Sequence, residues 1–396
     1  MNHISNSVLW GITAIVSVVI HVAAQENQFF VHDQEVLTSY RAELQELRQA
    51  RPVFSMPGPK FLLFGMGPRP KYIYHSGKVI AWPSGQVIRQ WKVQEETIVP
   101  PSYSVWLRTD GGRIHIFENE SGLFIDESGR HTVLAEYHVN LPAFQGERYP
   151  LVLRVLHQEI LVNIIEGRPV PNFLVYPKPW YRDAAMMAMV LQRTGNTGLI
   201  REWVMSLRDP YDHNNAGNNE PDNLGEVLFL ISCVSDHNHP LVAQTLKAAE
   251  SFRKGNYIAG STDFAEHPVY QTKWLKFGLR SLGLLDDSFT VPKAKDSYAS
   301  LFWWALHDGQ IGPEFSAADA MNYPYLTWAR DHLSAGHTGP VSSADYPLSW
   351  EADASHANYA GMSVISSDFT TRKLAAPHTW HAAEMFLLLS ALTKKP

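Results

Sequence analysis

Tyr176-Pro177-Lys178-Pro179-Trp180-Tyr181-Arg182-Asp183-Ala184-Ala185-Met186-Met187-Ala188-Met189-Val190-Leu191-Gln192 is the stretch on which the reading of the chain turns. Its two prolines keep the backbone extended just ahead of a helix, so Trp180, Arg182 and Asp183 stand where a loop becomes a helix N-terminus. An aromatic face, a guanidinium fork and a carboxylate gathered at one point suit a polyhydroxylated ring, which offers both an apolar face and hydroxyl groups. The alternative is an N-capping Asp with a structural Arg partner. Further on, Asn219-Glu220-Pro221-Asp222-Asn223-Leu224-Gly225-Glu226 opens another helix, on which Asp222 and Glu226 share one face. If that helix start faces a cavity, Asp222 and Asn223 touch the ligand and Glu226 backs them. Otherwise these acids simply oppose the helix dipole.

Outward from this stretch, 396 residues are enough for a large core and for more than one domain. A formal net charge of -6 and the lack of any basic run exclude a nucleic-acid footprint and attraction to an anionic membrane surface. Aromatic residues are abundant, with 12 Trp and 16 Tyr, which serves sugar stacking as well as core packing. At the start, the apolar run Val8–Ala24 ends in small residues before Gln25-Glu26-Asn27 and reads as a signal peptide over 1–24. The rival is a retained anchor, since Met1–Ser7 carries no Lys or Arg. Either way the rest of the chain is expected outside the cytoplasm. Cys233 is the lone cysteine and lies in the apolar run Val227–Val234, so it is expected to be buried. The pairs His237/His239 and His378/His381 are not a complete metal-ligand set, and no metal is expected. Gly65-Met66-Gly67 runs into Pro68 rather than a helix, so no nucleotide cofactor is expected either.

Periodicity divides the remainder. Glu35–Arg48 has one apolar stripe and forms a helix within an N-terminal segment, 25–55. From 56 to 168 short β-rich runs follow one another: Lys71–Tyr74, Lys78–Trp82, Gln86–Val93, Tyr103–Thr109, Arg113–Glu118, Gly122–Asp126, His131–Tyr137 and Leu151–Ile165. Asp110-Gly111-Gly112 marks a hairpin turn. This part is expected to be an antiparallel, sandwich-like β-domain. From 169 to 396 the period is helical, over Arg182–Gln192, Leu199–Leu207, Asn223–Ser235, Pro240–Phe252, Tyr270–Leu282, Asp296–Leu306, Ser316–His332, Ser355–Val364 and Trp380–Leu392. Successive helices with one apolar face each bury those faces in bundles or closed double rings. The fold class is therefore α+β multidomain.

Five segments in order then resemble the α/α-toroid, six-hairpin glycosidases of the glucoamylase-like kind. They are Trp180-Tyr181-Arg182-Asp183-Ala184-Ala185, Glu220–Leu228, Ser261–His267 with Tyr270–Leu275, Leu348-Ser349-Trp350-Glu351, and Pro377–Met385. The resemblance implies an (α/α) toroid over 169–396, with fewer helices than six hairpins need, and an exported glycoside hydrolase acting on an oligo- or polysaccharide. It departs from the family at Ala265, where an aromatic is usual. Glycosidic hydrolysis requires an acid to protonate the leaving oxygen and a carboxylate to activate water or attack carbon. Glu266, near Phe264 and Trp274, is the expected acid, and Glu351, beside Trp350, the expected base, in an inverting arrangement. Trp180, Arg182, Asp183, Asn215, Asn219, Asp222, Asn223, Glu226, Tyr270, Lys273, Trp274, Trp350, His378, Trp380 and His381 are the expected substrate-binding residues. The loop Asp209–Glu220 reads as sugar-binding, as calcium-binding or as plain solvated loop. Two other functions fit the same residues. A polysaccharide lyase or epimerase would take its base from Tyr270, His267 or His356, and a carbohydrate-binding protein would have no turnover.

Overall fold

A computed structural model describes residues 6–49, 53–263, 265–294, 296, 298, 341–354 and 356–391, with side chains described from residue 27 onward except at 54 and 391. The architecture is mixed α and β, with an N-terminal antiparallel sheet region followed by helices. The first helix, α1 (Asn6–Gln49), runs without a break through the expected signal boundary at Ala24 and through the expected helix Glu35–Arg48. It lies against the rest of the chain. Asp33 accepts hydrogen bonds from Ser104 Oγ (2.7 Å) and Trp106 Nε1 (2.8 Å), and Arg41 pairs with Asp345 at 2.9 Å. Among the residues whose side chains are described, no helix is long and apolar enough to cross a membrane.

After β1 (Val53–Phe54), the strands β2 (Phe61–Phe64), β3 (Lys71–His75), β4 (Lys78–Trp82) and β5 (Val87–Gln90) form one antiparallel meander. A second sheet takes β6 (Glu95–Val99), β7 (Ser104–Thr109), β8 (Gly112–Glu118), β9 (Gly122–Glu127) and β10 (Arg130–Glu136) in sequence order. The Asp110-Gly111-Gly112 turn closes β7 onto β8, with Thr109 opposite Gly112. One buried carboxylate ties the two sheets together. Glu118 on β8 pairs with Arg69 (2.8 Å) and accepts the N–H groups of Gly65 and Met66, which follow β2.

The expected strand Leu151–Ile165 is instead helix α2 (Pro150–Leu161). Pro150 occupies its first turn, and Glu43 of α1 accepts the free N–H groups of Leu151 and Val152, each at 3.0 Å. Polar His157, Gln158 and Glu159 are buried in α2 along with the apolar residues, so the hydrophobic pattern does not follow the helical face, which is why it misled. Helix α3 (Tyr181–Arg193) follows, then α4 (Arg201–Ser206), which continues from a 3-10 turn, then α5 (Asp222–Ser232), α6 (Pro240–Ser251) and α7 (Pro268–Ser281). The expected helix Ser355–Val364 is a 3-10 turn over Tyr359–Val364, capped by Asn358, after which come α8 (Ser367–Thr371) and α9 (Thr379–Ala391). Ser316–His332 lies outside the described residues, as does Asp296–Leu306 with Trp303 and Trp304 apart from 296 and 298. Cys233 is half-buried at the end of α5 rather than fully enclosed.

Four helices pack in series, α9 on α3, α3 on α5 and α5 on α7, while α2 covers the other side of α9. The closest crossing is α5 with α7, where two glycines face each other's backbone. A Cβ on Gly225 would sit 2.1 Å from the Trp274 carbonyl carbon, and one on Gly278 would sit 2.5 Å from the Gly225 oxygen. Backbone atoms cannot step aside. Gly225→Ala is therefore expected to destabilise the protein by about 3 kcal/mol, the upper end of what an over-packed core costs, read as a lower urea midpoint. An unchanged midpoint would contradict this close approach.

Candidate functional site

The N-terminal ends of α3, α5, α7 and α9 carry the residues that the sequence singled out, and a single guanidinium knits three of the surrounding segments together. Trp180 enters α3 in extended conformation with no side-chain cap of its own. The cap comes from elsewhere, because Asp212 accepts the Tyr181 N–H at 2.7 Å. That leaves Arg182 and Asp183 free for other work.

Arg182 is buried among carboxylates. Its Nε and Nη2 reach Asp222 Oδ2 at 3.0 and 2.9 Å, its Nη1 reaches Asp263 Oδ2 at 2.7 Å, and Glu220 lies 3.6 Å from Nη2. Those carboxylates have further donors. Thr262 Oγ1 donates to Asp222 (2.7 Å), Tyr298 OH to Asp263 (2.6 Å), and the Asp263 N–H and Asn215 Nδ2 to Glu220 (2.6 and 3.0 Å). The expected guanidinium fork for a sugar is thus spent inside the protein. Asp222, Asn223, Glu226 and Tyr270 are all buried, Asp222 held by Arg182 and Thr262, and Glu226 by Asn223 and the Tyr270 hydroxyl. Asn223 donates to Glu226 at 3.1 Å and accepts the Asp212 N–H at 3.2 Å. Burial, and after it the neighbouring Asp222, pushes the Glu226 carboxyl well above the ordinary range, so it is held neutral.

Asp183 is different. Its residue exposure is only 7 %, yet it makes no hydrogen bond with any described residue. His378 Nε2 is 3.8 Å from its Oδ1, too long for one. The same nitrogen contacts Glu351 Oε2 at 2.8 Å. Burial raises the Asp183 carboxyl to about 6, more than His378 and Arg182 lower it. Burial pulls the His378 imidazole down, but Glu351 and Asp183 outweigh it and leave His378 above its ordinary value. Tyr176 stands half-buried over the group. Its phenol is pushed up by burial first and then by Glu351, Tyr359, Asp183 and Asp263, so those acids converge on it. Trp180, also half-buried, sets its ring edge-on to Tyr176 with centroids 6.2 Å apart. Trp350 stacks on His381 behind them, and both are buried.

Several expected site residues are elsewhere. Glu266 lies in a two-strand hairpin opposite Ser261, with its side chain 56 % exposed and paired to Lys254 at 2.8 Å. The desolvation expected from Trp274 is absent, because Trp274 is wholly buried within α7 against Phe229 and Phe277, and Phe264 is outside the described residues. Glu266 therefore lacks the desolvated setting expected of it. Lys273 is buried, as is Trp380 at the head of α9, and Asn219 is exposed on its loop. Asn215 is bound to the Arg182 group. His267 is held by Asp296 at 3.0 Å and stacks on Tyr298, while His356 is exposed. Among the described residues no group of three His, Cys, Asp or Glu side chains is arranged to hold a metal ion. Sequence reasoning did not assign site roles to Tyr176, Asp263 or Tyr298, although the first two lie in stretches it quoted.

No family model, curated protein or solved structure matches the chain. The functional reading therefore rests on the geometry above.

Arg182→Gln leaves the Glu220, Asp222 and Asp263 carboxylates without their cation, and removing one partner of a buried ionic group costs about 3–5 kcal/mol. Burial raises Glu220 to about 7, so its contribution favours the folded state at low pH and is lost as pH rises through 7. The stability deficit of the variant, measured by urea unfolding, is accordingly expected to be larger at pH 8 than at pH 5. An equal deficit at both would contradict the shared-cation description.

Proposed function

We propose that the chain is an exported glycoside hydrolase whose acid and carboxylate partner are Asp183 and Glu351. The observation that carries the reading is the Asp183 carboxyl, buried yet with no hydrogen-bond donor among the described residues. Buried polar groups are normally bonded, so a missing donor points to one supplied by a ligand. A glycosidic or hydroxyl oxygen fits that place. Held near 6 by burial, Asp183 keeps a proton under mildly acidic conditions and can give it to the leaving oxygen. Glu351, in contact with His378 Nε2 at 2.8 Å, is the carboxylate that acts on the sugar carbon or its water. The half-buried Trp180 and Tyr176 rings supply an apolar edge for the sugar face.

Because both carboxylates approach the same His378 nitrogen, at 2.8 and 3.8 Å, their nearest oxygens are no further apart than those contacts laid end to end. That is at the narrow limit of the roughly 6.5–9.5 Å used by inverting enzymes and leaves room for the roughly 5–5.5 Å of retaining ones. The reading accordingly takes retention, with Glu351 as nucleophile, in place of the inversion expected from the sequence. The serial packing of α9, α3, α5 and α7, with the site at their N-terminal ends, supports the toroid reading of this half. Export rests on the apolar run Val8–Ala24.

The lyase or epimerase reading is weaker. Burial, and then Glu226, holds the Tyr270 phenol well above its ordinary value, His267 is bound to Asp296, His356 is exposed, and the Arg182 fork is not available to a uronate.

On a glycan panel read by reducing ends, the wild type is expected to turn over. Asp183→Asn and Glu351→Gln should each lose about 100-fold or more, the contribution of a positioned acid or base. Since the acid works protonated, kcat/KM of the wild type should fall as pH rises through about 6, an assay that also separates hydrolysis from mere binding. Product anomers followed by NMR should show retention. Full activity in both variants would contradict the assignment.

A further inference from the structure

Neither Glu351 nor His378 sits on rigid structure of its own. Glu351 belongs to a two-residue strand paired with Leu374-Ala375, and His378 lies just before α9. Both are nevertheless fastened to one side chain on a different element. Glu159, fully buried near the end of α2, accepts the Leu348 N–H at 2.7 Å on one oxygen. Its other oxygen takes the Ser349 N–H at 2.9 Å and the Ser349 hydroxyl. The same hydroxyl accepts the His378 N–H at 3.1 Å. One carboxylate thus governs the residues just before Glu351 and, through Ser349, the backbone of its ionic partner. Glu159 is buried in α2 beside two other buried polar residues, His157 and Gln158, and among the apolar Val155, Leu156, Ile160 and Leu161, and the hydrogen bonds of its carboxylate run to Leu348 and Ser349. Burying a carboxyl costs stability, and burial raises this one to about 7 despite three donors. An expensive group kept at this point is consistent with a task in the site.

We propose that Glu159 is the positioning residue of the site, acting through Ser349 to hold Glu351 and His378 in contact. The role deepens the hydrolase reading and rests on it for its catalytic consequence, whereas its structural consequence is independent of that reading.

The test uses the full chain with Ser349→Ala and Glu159→Gln. Ser349→Ala removes one hydroxyl and keeps both backbone bonds to Glu159, so it serves if Glu159→Gln fails to fold. Glu159→Gln puts an amide N–H where an acceptor is needed. Two readouts are taken. In glycan turnover, a site displaced by a fraction of an ångström to an ångström loses up to about 100-fold, so kcat should fall about 10- to 100-fold while KM changes little. In a histidine NMR titration, with the His378 signal identified by its absence in His378→Gln, the imidazole should titrate lower than in the wild type. The groups facing it are Glu351, Asp183, Tyr176 and His381, and of these the two carboxylates, Glu351 first and then Asp183, hold it up, so loosening of the Glu351 contact lowers it. A Glu159 that served stability alone would move neither readout in the folded protein. Unchanged kcat and an unchanged His378 titration in Ser349→Ala would overturn the proposal. If the wild type turns over no glycan, the hydrolase reading falls, and the His378 titration still decides whether Glu159 positions the pair.

Discussion

One guanidinium shared among three carboxylates is the constraint on which the helical half depends. Arg182 enters from α3, Asp222 from the first turn of α5, Glu220 from the loop before it, and Asp263 from the loop before α7. Water is excluded from most of this group, so each charge is tolerated only because the others are present. The result is geometric as much as energetic. With α3 and α5 locked at their N-terminal ends and α5 pressed onto α7 at Gly225 and Gly278, the loops between them have one place to go.

The neighbour of that arginine has the opposite fate. Asp183 shares the buried end of α3, but Asp212 takes the capping task, Asp222, Asp263 and Glu220 take the guanidinium, and His378 leans toward Glu351. Asp183 is the acid left over. Around this point Asp222, Asp263 and Glu220 each have donors, whereas Asp183 has none among the described residues, and desolvation shifts its proton affinity upward. Tyr176 and Trp180, on either side of Pro177–Pro179, meet edge-on, and Tyr176 also lies edge-on to His378.

Part of this was legible in the residues themselves. Prolines before a helix, an Asp-Gly-Gly turn between β runs and apolar stripes at helical spacing are local signals, and α3, α5, α6, α7, α9 and the β7–β8 hairpin lie where those signals put them. Asp183, Glu351 and His378 were singled out and do meet. What the sequence could not convey was which charge would be spent on which. Pairing between Arg182 and Asp263, or between Glu159 and Ser349, joins residues far apart in the chain, and no spacing rule announces it. Glu266 missed its expected buried setting for a more local reason. In a two-residue strand the alternation of faces decides burial, and a shift of one position separates the solvent side from the inside. Helix α2 was misread because the buried polar His157, Gln158 and Glu159 keep the hydrophobic pattern from following its face.

The claim at the centre is that Asp183 is a buried acid without a donor among the described residues, and its own titration is the most direct measure of it. Carbon-13 NMR of aspartate carboxyls, with the Asp183 signal identified by its loss in Asp183→Asn, is predicted to give a midpoint near 6. A midpoint at the ordinary aspartate value of about 3.9 would mean that Asp183 is solvated or hydrogen-bonded after all, and the account would be contradicted.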